Sequence, residues 1–249
     1  MTENAPPLLT RSDDGGLCTL TLNRPDKLNA LNTALFAEID AQLALLETQV
    51  ESIGCVVLRG SGRGFCAGAD LGAIGDGAAP PPTYKPRIIE RLANLPQPVI
   101  AAVHGNCLTG GLELALAADF IVAAEATRFA DTHGKWGLVG GWGMSQRLPR
   151  RIGLPAAKRM MMTGRFVGAA EALQMGLCDI VVPDAELDAA IVELTGQILA
   201  NSWFTNVATK RLLIDTEGMT LRDGLAHEHY RFPGLAPDYK ERIAAFSKK

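Results

Sequence analysis

Short apolar, β-branched runs alternate with stretches of helical periodicity as far as Val182. Leu17–Leu22, Cys55–Leu58, Pro98–Val103, Phe120–Ala123 and Ile180–Val182 read as strands, and Asn32–Gln49 reads as an amphipathic helix. From Pro183 onward the strand signals stop. Leu187–Ala200, Trp203–Asp215, Leu221–Tyr230 and Lys240–Ser247 all carry helical periodicity. The pattern predicts an α/β core over residues 1–185 followed by a helical segment over 186–249. Gly72–Pro86, rich in Gly, Pro and Ala, is predicted to form a mobile loop. No internal sequence repeat is evident.

Two of the strands lead into small-residue turns. Cys55–Leu58 precedes FCAGADL (Phe65–Leu71), and Pro98–Val103 precedes GNCLTGGLELALAADF (Gly105–Phe120). Small residues let backbone N–H groups approach a ligand closely. An N–H at a helix start is unpaired and lies at the positive end of the helix dipole. Two such turns facing each other can hold one oxygen that gains negative charge during a reaction, an oxyanion hole.

Composition narrows the partners. The chain has 249 residues, 47% of them hydrophobic and 20% charged, with a formal net charge of −3. This is an ordinary soluble composition, with no charge bias toward nucleic acid or a membrane surface. The start is polar and acidic, unlike a signal peptide, and the apolar stretch Leu112–Ala124 is too short to span a bilayer and contains Glu113 and Asp119. Cys18, Cys55, Cys66, Cys107 and Cys178 are odd in number and lack CxxC spacing, which points to reduced thiols and a cytoplasmic setting.

Candidate chemistry sits in few places. Gly60-Ser61-Gly62-Arg63-Gly64 imitates a dinucleotide-binding turn, but the third glycine of that motif would fall on Phe65, which argues against a Rossmann site. Asp70 reads locally as a cap for the next helix. Glu113 is flanked by Leu112, Leu114, Ala115 and Leu116, so its helix is apolar nearly all round and buried. A buried carboxylate needs a partner or a purpose, and burial raises its pKa toward the range of acid–base work. His133 is a second proton-transfer candidate, with Asp131 two residues before it on an extended segment. Trp136, Trp142 and Met144 suit either core packing or the wall of an apolar pocket. His227 and His229 form no metal-binding set with nearby Cys or carboxylates, and no metal is expected.

These stretches, in their order and spacing, resemble the crotonase (enoyl-CoA hydratase/isomerase) superfamily. Asn23-Arg24-Pro25-Asp26-Lys27-Leu28-Asn29-Ala30-Leu31 resembles its first CoA-contacting segment, and Phe129–Leu148 its substrate-pocket segment. Thr163-Gly164-Arg165, Ala169-Ala170-Glu171-Ala172 and Gly176-Leu177-Cys178-Asp179 resemble the family's segments beyond that pocket, so the likeness runs from about Leu17 to Val182. It implies a core of repeated ββα units, a C-terminal helical segment and assembly as a homotrimer or dimer of trimers. The implied oxyanion donors are the N–H groups of Ala69 and Gly110. Lys27, Leu28, Ala30, Ala67, Asp70 and Leu71 are the implied CoA contacts, Lys27 by charge on a phosphate.

Glu113 matches one of the family's two catalytic glutamates. His133 stands where hydratases carry the other. Thr109-Gly110-Gly111 replaces a run that often has three glycines, and His104 replaces a common asparagine beside Gly105. The implied reaction is hydration of a trans-2-enoyl-CoA, with coenzyme A as part of the substrate and no redox cofactor. Alternatives are double-bond isomerisation, CoA-ester hydrolysis or C–C cleavage using His133, and non-catalytic acyl-CoA binding.

Overall fold

The computed structural model describes residues 6–73 and 80–246. Strands β1 (Leu9–Asp14) and β2 (Leu17–Leu22) pair antiparallel around Gly15-Gly16, both at positive φ, as a two-residue hairpin turn requires. Helix α1 (Thr33–Leu46) starts at Asn32, whose side chain accepts from the Leu35 N–H. Strand β3 (Cys55–Gly60), helix α2 (Tyr84–Ala93) and strand β4 (Val99–Val103) come after it. Next are β5 (Asn106–Leu108), α3 (Gly110–Ala115), β6 (Phe120–Ala124) and β7 (Arg128–Ala130). Helices α4 (Met144–Ile152) and α5 (Leu154–Thr163), strand β8 (Val167–Gly168), helix α6 (Ala169–Gln174) and strand β9 (Ile180–Val182) complete the α/β part. Helices α7 (Leu187–Ala200), α8 (Trp203–Thr216), α9 (Leu221–Arg231) and α10 (Tyr239–Phe246) end the chain.

Among the described residues, six strands form one sheet in the order β1-β2-β3-β4-β6-β9, parallel from β2 onward. A smaller sheet has the order β5-β7-β8. The central strands β3, β4 and β6 are buried on both faces, which is why they read as nearly continuous apolar runs, whereas the edge strand β1 carries exposed polar residues. Val56, Leu58, Ala101, Val103, Ile121 and Ala123 face a core shared with α1 and α2. Cys55, Val57, Ile100, Ala102, Val122 and Ala124 face Leu187, Ile191 and Ile198 of α7. Burying each of those three aliphatic side chains contributes about 1.5–3 kcal/mol, so the first helix after residue 186 completes the core.

Helix α8 is tied to the same body. The Trp203 ring lies against Gly16 and Gly54, where any Cβ would overlap it. The buried Lys210 ammonium donates to Gln97 O at 3.0 Å and to Asp119 Oδ2 at 2.7 Å. Helices α9 and α10 instead leave Leu221, Tyr230 and Phe246 exposed, as is Phe232 just after α9.

The strands and C-terminal helices expected from the pattern are present. Gly72–Pro86 differs in part: Leu71–Ala73 forms a 3₁₀ turn and Tyr84–Pro86 is already the first turn of α2, while residues 74–79 lie outside the described residues. Pro86 is tolerated there because first-turn N–H groups have no helical acceptor. The helix carrying Glu113 is shorter than its apolar run, ending at Ala115.

Candidate functional site

The first turn is fixed by its neighbours. Cys66 extends the small sheet, its N–H donating to Asn106 O at 3.0 Å and its carbonyl accepting from Leu108 N at 2.9 Å. Gly68 comes next but one at φ +102°, where an added Cβ would lie 3.0 Å from Leu108 O. Leu31 bonds to both sides of Ala69: its N–H donates to Gly68 O at 2.8 Å and its carbonyl accepts from Asp70 N at 3.1 Å. Ala69 N–H thus points away from Leu31 and donates to no acceptor among the described residues.

The second turn presents a matching donor. Gly110 opens α3, so its N–H has no acceptor within the helix and carries the positive end of the dipole. A Cβ on Gly110 would lie 3.3 Å from Ala69 N and 2.5 Å from Trp142 Cζ3. The two donors are therefore adjacent, with the Trp142 indole as a wall. Gly111 is needed for packing, since its Cβ would meet Cys66 O at 2.5 Å.

Glu113 lies one helical turn on, on the face of α3 shared with Gly110. Its carboxylate is buried, and Oε1 accepts from the backbone N–H groups of Trp142 at 2.8 Å and Met144 at 3.0 Å. Oε2 is buried without a hydrogen-bond partner among the described residues, 3.8 Å from His133 Nε2. Burial pushes the Glu113 pKa above its ordinary value, against the opposing pull of the Met144 and Trp142 N–H groups and of His133.

His133 begins a 3₁₀ turn after Thr132. Asp131 is buried, not a solvated loop acid: its Oδ1 accepts from the His133 backbone N–H at 3.1 Å and lies 2.6 Å from Nδ1. That bond places the Nδ1 proton toward Asp131 and turns Nε2 toward Glu113. Burial alone would lower the imidazole pKa, but the Asp131 hydrogen bond and the charges of Asp131 and Glu113 carry it above the ordinary value. Gly140 allows this packing, its absent Cβ falling 3.1 Å from His133 Cε1.

The residues expected to contact CoA form a connected rim. Leu28 and Asn29 stand at φ 51° and 56°, and the buried Asn29 side chain accepts from Arg24 N and donates to Ser61 O and Gly64 O, all at 2.9 Å. Ala67 N donates to Leu28 O at 3.0 Å. The Arg24 guanidinium joins Ala30 O to Asp70, whose Oδ2 it meets at 2.8 Å. Asp70 is thus engaged by an arginine. Leu71 and Lys27 are exposed at the edge.

Other candidates separate. Trp142 packs edge-on against Phe36 with centroids 5.1 Å apart, and Met144 is buried, whereas Trp136 is exposed and does not join them. His104 Nε2 lies 2.9 Å from Gly62 O, supporting the turn at Gly105. His227 lies near Asp215 and His229 against Tyr230, both in the C-terminal helices. Among the described residues no His, Cys, Asp and Glu side chains gather in a set that would hold a metal, and no helix is long and apolar enough to cross a membrane. All five cysteines are free and buried.

Sequence reasoning misses the Trp142 and Met144 N–H groups on Glu113. The glycine run Gly140-Gly141-Trp142-Gly143 is the one signal of close backbone approach there. It also misses the hydrogen bond between Thr109 and Thr132 behind the site.

Comparison with known proteins places this geometry among relatives. The sequence model described as enoyl-CoA hydratase/isomerase matches residues 12–247. A probable enoyl-CoA hydratase of Rhizobium meliloti is 37% identical over 241 residues, covering 94% of this chain and 93% of that protein. A 1,2-epoxyphenylacetyl-CoA isomerase of Escherichia coli is 36% identical over 248 residues, with 94% and 93% covered. The crystal structure of an enoyl-CoA hydratase from Bacillus anthracis superposes with a TM-score of 0.91 at 32% identity, over 97% of this chain and 96% of that one.

Proposed function

The chain belongs to the enoyl-CoA hydratase/isomerase family, and from that premise we propose that it adds water to a trans-2-enoyl-CoA to give a 3-hydroxyacyl-CoA. The observation that carries the reading is Glu113 Oε2, buried and unpartnered 3.8 Å from an Asp131-backed imidazole, on the helix that also presents the Gly110 N–H. The thioester oxygen accepts from Ala69 N–H and Gly110 N–H, which stabilise the negative charge of the enolate. Glu113 takes a proton from water as its oxygen bonds the β-carbon. His133 Nε2 gives a proton to the α-carbon. The proton left on Glu113 then passes to Nε2, which restores the starting charges. Asp131 holds the imidazole in the tautomer and orientation that these transfers need.

Coenzyme A enters as part of the substrate. Its contacts would be Lys27, Leu28, Ala30, Ala67, Asp70 and Leu71, with the Arg24–Asp70 pair keeping the rim in place. The exposed apolar residues of α9 and α10 support assembly as a homotrimer or dimer of trimers through the C-terminal helices. Light scattering is expected to show one of these two masses, and a monodisperse monomer would refute the assembly.

The testing experiment is incubation with a panel of enoyl-CoA thioesters, following loss of the conjugated double bond and product mass. Gain of one water supports hydration. The isomerase reading draws on the family, described as enoyl-CoA hydratase/isomerase, and on the His133–Glu113 pair, which can move one proton between two carbons. It predicts a shifted double bond at unchanged mass. Release of free CoA would indicate hydrolysis, and binding without turnover a non-catalytic role.

His133→Ala is expected to lower hydration by ~100-fold or more, while His133→Glu, restoring two carboxyl groups, retains it. The pH profile is set by the directions of shift. Activity rises as pH climbs through the raised pKa of Glu113, where the base loses its proton. It falls as pH climbs through the imidazole pKa, which lies above the ordinary 6.5. Because the two groups interact, both limbs belong to the pair. A basic limb unchanged in His133→Glu would remove the imidazole from the proton transfer.

A further inference from the structure

Thr109 stands where glycine would fit more easily. At φ 53° and ψ −113° it occupies a region that β-branched side chains seldom adopt, and it is buried. Glycine would remove the strain, so the side chain must be doing something that glycine does not. Its Oγ1 lies 2.6 Å from Thr132 Oγ1 and accepts from Thr132 N–H at 3.2 Å. Its own N–H donates to Ala130 O at 2.8 Å, and its carbonyl accepts from Glu113 N–H at 2.9 Å.

Thr109 therefore reaches both halves of the site. On one side it caps the helix that begins with Gly110 and carries Glu113. On the other it binds the backbone and hydroxyl of Thr132, which sits between Asp131 and His133. Glu113 Oε2 and His133 Nε2 share no direct hydrogen bond at 3.8 Å. Their spacing depends on how these two segments are held.

We propose that Thr109 is a positioning residue whose hydroxyl, bound to Thr132, sets the register between the helix of Gly110 and Glu113 and the segment of Asp131 and His133. The expected effect on turnover rests on the hydratase reading, whereas the structural tie does not. Thr109→Gly keeps the backbone conformation and removes the hydroxyl. It is expected to stay folded with a melting temperature close to that of wild type, relief of strain at the positive φ offsetting the bonds lost to Thr132, yet to lose about tenfold in kcat, since small misplacements of reacting groups are costly. The Kd for a saturated acyl-CoA should stay within about twofold of wild type, because binding does not use this register.

Thr109→Ser, which keeps the hydroxyl, is expected to retain wild-type kcat. Thr132→Val should resemble Thr109→Gly, and the double variant should be no worse than the poorer single, as expected for two ends of one interaction. An arm independent of turnover tracks the His133 ring protons by NMR as pH is varied. The imidazole midpoint should move in Thr109→Gly and stay in place in Thr109→Ser. Wild-type kcat together with an unmoved His133 titration in Thr109→Gly overturns the proposal. Equal losses in Thr109→Gly and Thr109→Ser overturn it as well. If wild type hydrates none of the thioesters, the hydratase reading fails while the NMR comparison still decides the tie.

Discussion

Glu113→Gln should reduce hydration by at least ~100-fold, the usual cost of losing a positioned acid–base group. The variant is informative because so little else changes. The glutamine carbonyl oxygen can still accept from the N–H groups of Trp142 and Met144, so the side chain keeps its place. The amide nitrogen then takes the position of Oε2 facing His133 and cannot accept a proton from water. Thermal stability should hold or rise, because a buried charge with one unpartnered oxygen is replaced by a neutral group. Affinity for a saturated acyl-CoA should persist, since the residues proposed to contact CoA lie on other segments. Steady-state kinetics and a binding titration on the same preparation check both halves. Full turnover in Glu113→Gln would remove this residue from the mechanism.

Gly110→Ala should cost ~10²–10³ in kcat, the range seen when one oxyanion donor is lost. The reason is steric. A Cβ at this position would lie 2.5 Å from Trp142 Cζ3 and 3.3 Å from Ala69 N, at the mouth of the space between the two donors. The indole must move or the helix start must shift, and either change separates the donors. A companion substitution, Trp142→Ala, relieves the ring overlap. If the loss comes from crowding by the indole, the double variant recovers part of the activity. If it comes from the methyl group filling the oxyanion space, the double variant stays inactive. Unchanged kcat in Gly110→Ala would place the thioester oxygen elsewhere.

The parts of the fold legible in the sequence are those that water sees least. Strands such as Cys55–Leu58 and Pro98–Val103 stand out because both faces of the large sheet are covered, so every position is apolar. Strands β5, β7 and β8 have only two or three residues each and show no period to detect. Helix α2 is concealed by the proline-rich stretch into which its first turn extends.

In the site, Glu113 announces itself as a carboxylate amid Leu and Ala, and His133 through its place in the family-like segment. Asp131 is visible as a letter, but its burial against Nδ1 is not. The Trp142 and Met144 N–H groups are invisible because backbone donors belong to every residue, and only folding decides which are aimed. Thr109 looks like a harmless replacement for glycine, since a sequence records no φ.

The double-sided sheet also has a bearing on how the chain is made. Strand β9 and helix α7 lie late in the sequence, yet β9 closes an edge beside β6 and α7 covers a whole face. While the ribosome is still translating the residues before Leu187, the face bearing Cys55, Val57, Ile100, Ala102, Val122 and Ala124 has nothing to cover it. Parallel neighbours joined by long crossovers are slow to pair, and an apolar sheet face left open invites contact with other nascent chains. The core on that face cannot close until α7 has emerged, although the opposite face can already pack against α1 and α2, so the risk of aggregation during synthesis converges on the helix that begins at Leu187.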